Sequence, residues 1–163
     1  MAFSFAPLLT TIHHSIEDSY ENVEHMEAQA LTDLSSVDTV VFDVRELSEY
    51  EVSHLENALQ IDPGISRVDF EAQHGDTIAG KRVVFYCSVG RRSSNLAQRV
   101  SDFVVSKTHS QPINLKGGIF NWSNESRRMI GVDDTATDAV HPYNWFWGLL
   151  LKNREAISYG HTD

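Results

Sequence analysis

Arg82 to Tyr86 (Arg-Val-Val-Phe-Tyr) is a continuous apolar run that ends directly on Cys87, and Leu96, Val100, Phe103 and Val104 then recur at helical spacing. A run this short and apolar reads as a strand buried on both faces. The stripe after it reads as a helix, starting near Arg92 or Ser93, that buries its apolar side. The alternation recurs along the chain. Thr39 to Val44 is a β-branched apolar run, Ala58 to Ile61 a shorter one stopped by Asp62-Pro63-Gly64, and Pro112 to Leu115 a last one broken by Gly117-Gly118. Helical patterns separate them. Ser48 and Glu51 have capping-box spacing, with Leu47 and Val52 as the staple of a short helix over 49–53. Val68 to His74 predicts another helix, ended by Gly75-Asp76, and Ile119, Phe120 and Trp122 a brief third. Strands alternating with helices imply an α/β fold: a parallel sheet covered on both faces, with its site at the carboxyl ends of the strands. Cys87 stands at such an end.

The flanks are less regular. Ala28, Leu31 and Leu34 could share the inward face of an amphipathic helix over 24–34. Ser123 to Ala139 is polar and reads as loop, and the tail from His141 to Leu151 is aromatic-rich. In that tail Tyr143, Trp147 and Leu151 fall on one helical face while Trp145, Phe146, Leu149 and Leu150 fill the others, so it must be covered. Docking across the chain's own core is the expectation; a dimer contact or a protein-delivery surface are the alternatives. The division expected is an N-terminal helical extension over 1–35, a core over 36–126, and a polar loop with an apolar segment over 127–163, together one domain, as 163 residues allow.

Charge and cysteine usage narrow the chemistry. Thirteen Lys and Arg against 23 Asp and Glu leave a net charge of -10, which disfavours nucleic acid and anionic membrane as partners. Cys87 is the single cysteine, which excludes an intrachain disulfide, a CxxC redox pair and a structural thiolate zinc site. No Lys or Arg precedes Arg45 and the longest apolar stretch, Trp145 to Leu151, is far too short for a bilayer, so a cytoplasmic setting is expected. The scattered His54, His74, His109, His141 and His161 read as surface or structural residues, and His13-His14 as a pair in a mobile segment; no metal site is expected.

The chemistry concentrates between the clearest strand and the clearest helix, in Cys87-Ser88-Val89-Gly90-Arg91-Arg92-Ser93-Ser94. Amides of the loop and of the first helical turn lack helical partners and can converge on the sulfur as an anion cradle, with Gly90 letting the chain curl. Arg91, Arg92 and the positive end of the helix favour the thiolate and can hold an oxyanion, which suggests a small anionic substrate brought to a sulfur nucleophile. Asp43 and Arg45, at the end of the neighbouring strand, read as supporting residues, Arg45 pairing with Glu49 at i, i+4 to brace the loop.

These residues resemble the single-domain rhodanese (thiosulfate sulfurtransferase) family over about Val40 to Trp122. Cys87, Gly90, Arg92 and Ser93 match its Cys-x-x-Gly-x-Arg-Ser. Asp43-Val44-Arg45, Glu49-Tyr50 and His54-Leu55 resemble its upstream block, and Gly117-Gly118 with Trp122 its closing Gly-Gly-x-x-x-Trp. Ser53 and Asn57 stand where the family usually has glycine, and Gln60 where it has Asn or His. The resemblance implies a central, mainly parallel five-stranded sheet with helices on both faces, and transfer of a sulfane sulfur from thiosulfate or a similar donor through a Cys87 persulfide. Amides of Ser88 to Ser93 would stabilise the persulfide, Val89 among them; Arg91 and Arg92 would orient the donor, and cyanide, a thiol or a protein would take the sulfur. No metal or organic cofactor enters such a cycle. A persulfide carrier or protein-binding module is the alternative. Phosphatases and arsenate reductases of similar fold use Cys-x5-Arg; here Arg92 is one position too early, and the narrower loop favours a single sulfur atom over a phosphoryl group.

Overall fold

The computed structural model describes residues 6–160. Five strands form one parallel sheet: β1 (Glu24–Met26), β2 (Thr39–Asp43), β3 (Leu59–Gln60), β4 (Arg82–Tyr86) and β5 (Ile113–Leu115), in the order β1-β5-β4-β2-β3. β4 and β2 are central because they are the most apolar, and they pair over their full length from Thr39 with Arg82 to Asp43 with Tyr86. Alternation along β4 divides the core in two. Val83 and Phe85 join Phe42, Phe70, Leu96, Val100 and Val104 on one face, whereas Val84 and Tyr86 join Leu115, Ile119, Phe120 and Met129 on the other. Helices α4 (Arg67–Ile78) and α5 (Arg91–Thr108) cover the first face with Phe70, Ile78 and the predicted Leu96/Val100/Val104 stripe. The second is covered by α1 (Ala6–Ser19), α2 (Ala28–Thr32), α6 (Gly118–Asn124) and the tail, through Leu9, Leu31, Ile119, Leu150 and Leu151.

Several local expectations are corrected. The helix expected over 24–34 is real only as α2: Glu24 to Met26 is instead the sheet's edge strand, hydrogen-bonded to β5. His13-His14 lies within α1. The short helix α3 (Leu47–Val52) starts earlier than the Ser48/Glu51 pattern predicts, because Glu46 is its cap and Glu49 completes the reciprocal box. α4 runs through Gly75-Asp76 to Ile78, with Ser66 accepting from the Asp69 amide at its start. The polar stretch expected as loop holds a hairpin, β6 (Met129–Ile130) with β7 (Ala136–Thr137), which the His54–Ile130 bridge ties to the end of α3. The tail docks on the core through Val140, Leu150 and Leu151, yet its helix α7 (Trp145–Gly148) is one turn and leaves Trp145 and Phe146 exposed. His161 lies outside the described residues. Among those residues no helix is long and apolar enough to cross a membrane.

Burial holds four histidines below their ordinary value of 6.5: His13, His25, His74 and His141, in each case with desolvation as the leading cause. His74, against the rings of Phe42 and Phe70, has no other cause. The native state therefore keeps these rings neutral while the unfolded chain takes up protons first. Their contribution is intact above about pH 6.5 and is lost as pH falls through the folded values. We expect the urea midpoint to decline from about pH 7 to about pH 5, and His74→Gln to flatten that decline. A midpoint constant across this window refutes it.

Candidate active site

Cys87 follows β4 at the sheet's carboxyl edge and is 2% exposed. The chain turns at Gly90, whose φ of 109° is open to glycine and strained for other residues, and enters α5 at Arg91. The curl brings the Gly90 N–H to 3.2 Å from the Cys87 sulfur and the Ser93 hydroxyl to 3.4 Å. Both groups stand at the amino end of an 18-residue helix, where amides without helical partners and the helix dipole can hold an anion. Ser93 donates its one proton mainly to the Asn114 carbonyl oxygen at 2.7 Å, and the Asn114 amide meets the His25 ring nitrogen Nδ1 at 3.1 Å.

The arginines divide their work differently from the expectation. Arg92 is engaged by Glu49: its two terminal nitrogens donate to the Glu49 carboxylate at 2.7 and 2.9 Å and one also to the Ser88 hydroxyl. Burial opposes the charge on Arg92, but the Glu49 hydrogen bond and the charges of Cys87 and Glu49 outweigh it and hold the guanidinium above its ordinary value. For Glu49, burial pushes the carboxyl up, and the Arg92 bond and charge, the Glu46 amide and Arg45 together hold it below the ordinary carboxylate range. Arg91 stays exposed at the site's mouth. The expected Arg45–Glu49 ion pair is not what forms. Arg45 is fully buried, forks onto the Asp43 carboxylate, and donates to the backbone carbonyls of Ser53 and Glu49. Tyr86 completes this cluster by donating to Asp43 while accepting from the Leu55 amide.

The closing Gly-Gly has a direct role. Amides of α6 donate to the active-site loop, Ile119 N–H to the Cys87 carbonyl at 2.9 Å and Phe120 N–H to that of Ser88 at 3.1 Å. This docking needs a bare Cα at Gly118: its φ is 52°, and a Cβ there would lie 2.2 Å from the Cys87 carbonyl oxygen and 2.7 Å from that of Ser88. Gly118→Ala must therefore shift the loop that carries the nucleophile. A displacement near 1 Å costs about 100-fold in rate, so we expect the reaction of Cys87 with a thiol-directed reagent that uses the loop's geometry to slow by up to about that factor. Modification at the wild-type rate would refute this. Two of the departures upstream are absorbed locally: Asn57 takes a left-handed φ of 64°, a conformation asparagine tolerates, and the Gln60 amide donates to the Arg45 carbonyl, whereas the buried Ser53 hydroxyl finds no partner among the described residues.

Sequence reading missed the contributors that lie far away in the chain. A cleft of ≈ 420 Å³ opens over Cys87, Ser88 and Val89, and its other walls are Thr11, Ile12, Ser15 and Ile16 of α1 with Tyr143 and Trp147 of the tail. Tyr143 lies over the Arg92 guanidinium, 4.7 Å from it. Asn114 was detectable as a polar residue inside an apolar strand; nothing local marks His25 or the α1 side chains.

A parallel sheet whose central strand ends on a cysteine beneath a helix amino terminus defines the class of cysteine-loop α/β domains. Within it, the chain belongs to the rhodanese-like family, whose domain model matches residues 26–125. The tRNA uridine(34) hydroxylase of Citrobacter koseri is 29% identical over 116 residues, which are 68% of this chain and 30% of that protein. The chain thus spans less than a third of such curated relatives. Among solved structures, a thiosulfate sulfurtransferase from Pseudomonas aeruginosa superposes with a TM-score of 0.55 at 13% identity, covering 76% of this chain and 23% of that one. A rhodanese-related protein from Thermoplasma volcanium gives 0.52 at 19% identity, covering 66% and 97%. At these identities the likeness is one of fold.

Proposed function

We propose that this chain is a sulfurtransferase working through a persulfide on Cys87. The thiolate attacks the outer sulfur of thiosulfate or a similar sulfane donor. A bond forms between the two sulfurs, the donor's S–S bond breaks, and sulfite leaves with its electron pair. The persulfide then gives its terminal sulfur to a thiophilic acceptor, cyanide or a thiol, and the Cys87 thiolate returns. The observation that carries this reading is the Gly90 amide donating to the Cys87 sulfur at the start of α5, with the Ser93 hydroxyl 3.4 Å from the same sulfur. Donors already in place stabilise an anion without reorganisation. The short loop between Cys87 and Arg92, with Arg92 bound to Glu49, favours a transferred atom over a phosphoryl group, which needs a wider ring of donors.

The name of the curated relatives points to a tRNA nucleotide as substrate of those longer proteins. A net charge of -10 argues against a polyanion being gripped by this chain, so the acceptor we propose is small. The test is intact mass after incubation with thiosulfate, followed by turnover with cyanide. We expect a gain of one sulfur atom, released by the acceptor. Loading with slow release assigns the carrier role instead, and no loading refutes sulfur transfer.

A further inference from the structure

The cleft over Cys87 is poorly matched to an inorganic dianion. Its apolar walls are Ile12 and Ile16 of α1, Val89 of the loop and Trp147 of the tail; Tyr143 and the polar Thr11, Ser15 and Ser88 complete the lining. Its volume of ≈ 420 Å³ is in the range that encloses an organic ligand, far beyond what a five-atom ion fills. Two cations touch it. Arg92 is neutralised by the bidentate bonds to Glu49, whereas Arg91 forms no salt bridge among the described residues. The site therefore offers, at its mouth, one cation without an ion pair among the described residues, and a mostly apolar chamber beyond it. A doubly charged, strongly hydrated ion pressed against Ile12, Ile16 and Trp147 loses water that Thr11, Ser15, Ser88 and one unpaired arginine replace only in part.

We infer that the preferred donor is a monoanionic organic sulfane compound, of the form R–SO2–S⁻ or R–S–S⁻, whose apolar R group lies between α1 and Trp147. This rests on the sulfur-transfer reading above and names its substrate class. The Cys87 thiolate bonds to the outer sulfur, the S–S bond of the donor breaks, and R–SO2⁻ or R–S⁻ departs with the electron pair, so charge and electrons balance. Arg91 faces the anionic end, and α1 and the tail, both outside the matched family domain of residues 26–125, set the selectivity. Ile12, Ile16, Tyr143 and Trp147 are thus specificity-determining residues rather than parts of the sulfur chemistry.

Methanethiosulfonate and benzenethiosulfonate share the reacting group and differ only in R, so their ratio isolates the chamber. We expect KM for the benzene compound to be lower by about tenfold or more, from the ring area it buries, with kcat for Cys87 persulfide formation little changed between donors. In Trp147→Ala and Ile12→Ala the ratio falls toward one. A partly folded variant lowers both rates and leaves the ratio unaltered, so the ratio reads the chamber alone. Equal KM values in the wild type, or a ratio unmoved by both substitutions, overturn the inference. Thiosulfate is the third arm: if it loads Cys87 as efficiently as benzenethiosulfonate, the substrate class is wrong and sulfur transfer stands. If no donor loads Cys87, the underlying reading is what fails.

Discussion

Cys87→Ser is expected to end the proposed sulfur transfer while keeping the fold. Serine differs by one atom, and its hydroxyl can accept from the Gly90 amide that now points at the sulfur, so the buried polar group is satisfied and the stability cost stays near 1 kcal/mol. The reaction has no such substitute. An alkoxide is not formed at neutral pH at this position, and an oxygen cannot make the sulfur–sulfur bond on which the two half-reactions depend. We expect no mass gain after exposure to a sulfane donor, and acceptor turnover at background, a loss on the order of 10⁴-fold or more. Circular dichroism and Tm should report the native fold. A variant that still shuttles sulfur would show that the transferring group is not Cys87, since the chain has no second thiol to take its place.

How far the sequence disclosed this depends on how local each feature is. β4 and α5 are legible because a strand buried on both faces must be apolar throughout and its covering helix must carry a stripe; the structure places β4 at the expected residues and α5 one residue before the expected start. The cysteine loop is legible for the same reason, being the segment between them. β1 is not, because Glu24–Met26 is three residues at a half-exposed edge, and what makes it a strand is its partner β5, far along the chain. Charge pairing failed likewise. Helical spacing offered Glu49 to Arg45, but the carboxylate of Glu49 faces Arg92, 43 positions away, and Arg45 finds Asp43 two residues back. A spacing rule sees neighbours on one helix; it does not see that the carboxyl ends of β2 and β4 bring α3 against the loop. The walls of the cleft, from both ends of the chain, were hidden for the same reason.

Arg45→Ala is the substitution expected to damage the fold most. The side chain is completely enclosed, and its partners are not interchangeable with water: the Asp43 carboxylate, fully buried, and the carbonyls of Ser53 and Glu49 at 2.7 and 3.3 Å. Such a pair need not be a net source of stability, because desolvation offsets much of its attraction, but removing one member leaves the other charged and stranded. Asp43 would then hold its charge on the Tyr86 hydroxyl alone, among side chains that solvent does not reach. The expected loss is about 3–5 kcal/mol, or a fall in Tm of roughly 6–20 °C at about 2–4 °C per kcal/mol for a chain this size. The damage should also spread to the site. Arg45 ties the middle and the carboxyl cap of α3 to β2, and α3 carries Glu49, which holds Arg92 and Ser88 beside the nucleophile. Replacing both residues, as Arg45→Met/Asp43→Leu, removes the stranded charge and should recover part of the loss; the remainder measures the carbonyls left without a donor and the Tyr86 hydroxyl left without its acceptor. If Arg45→Ala unfolds within about 1 kcal/mol of wild type, the buried fork is not what fastens α3 to the sheet, and the positioning of Glu49 must come from its helix cap instead.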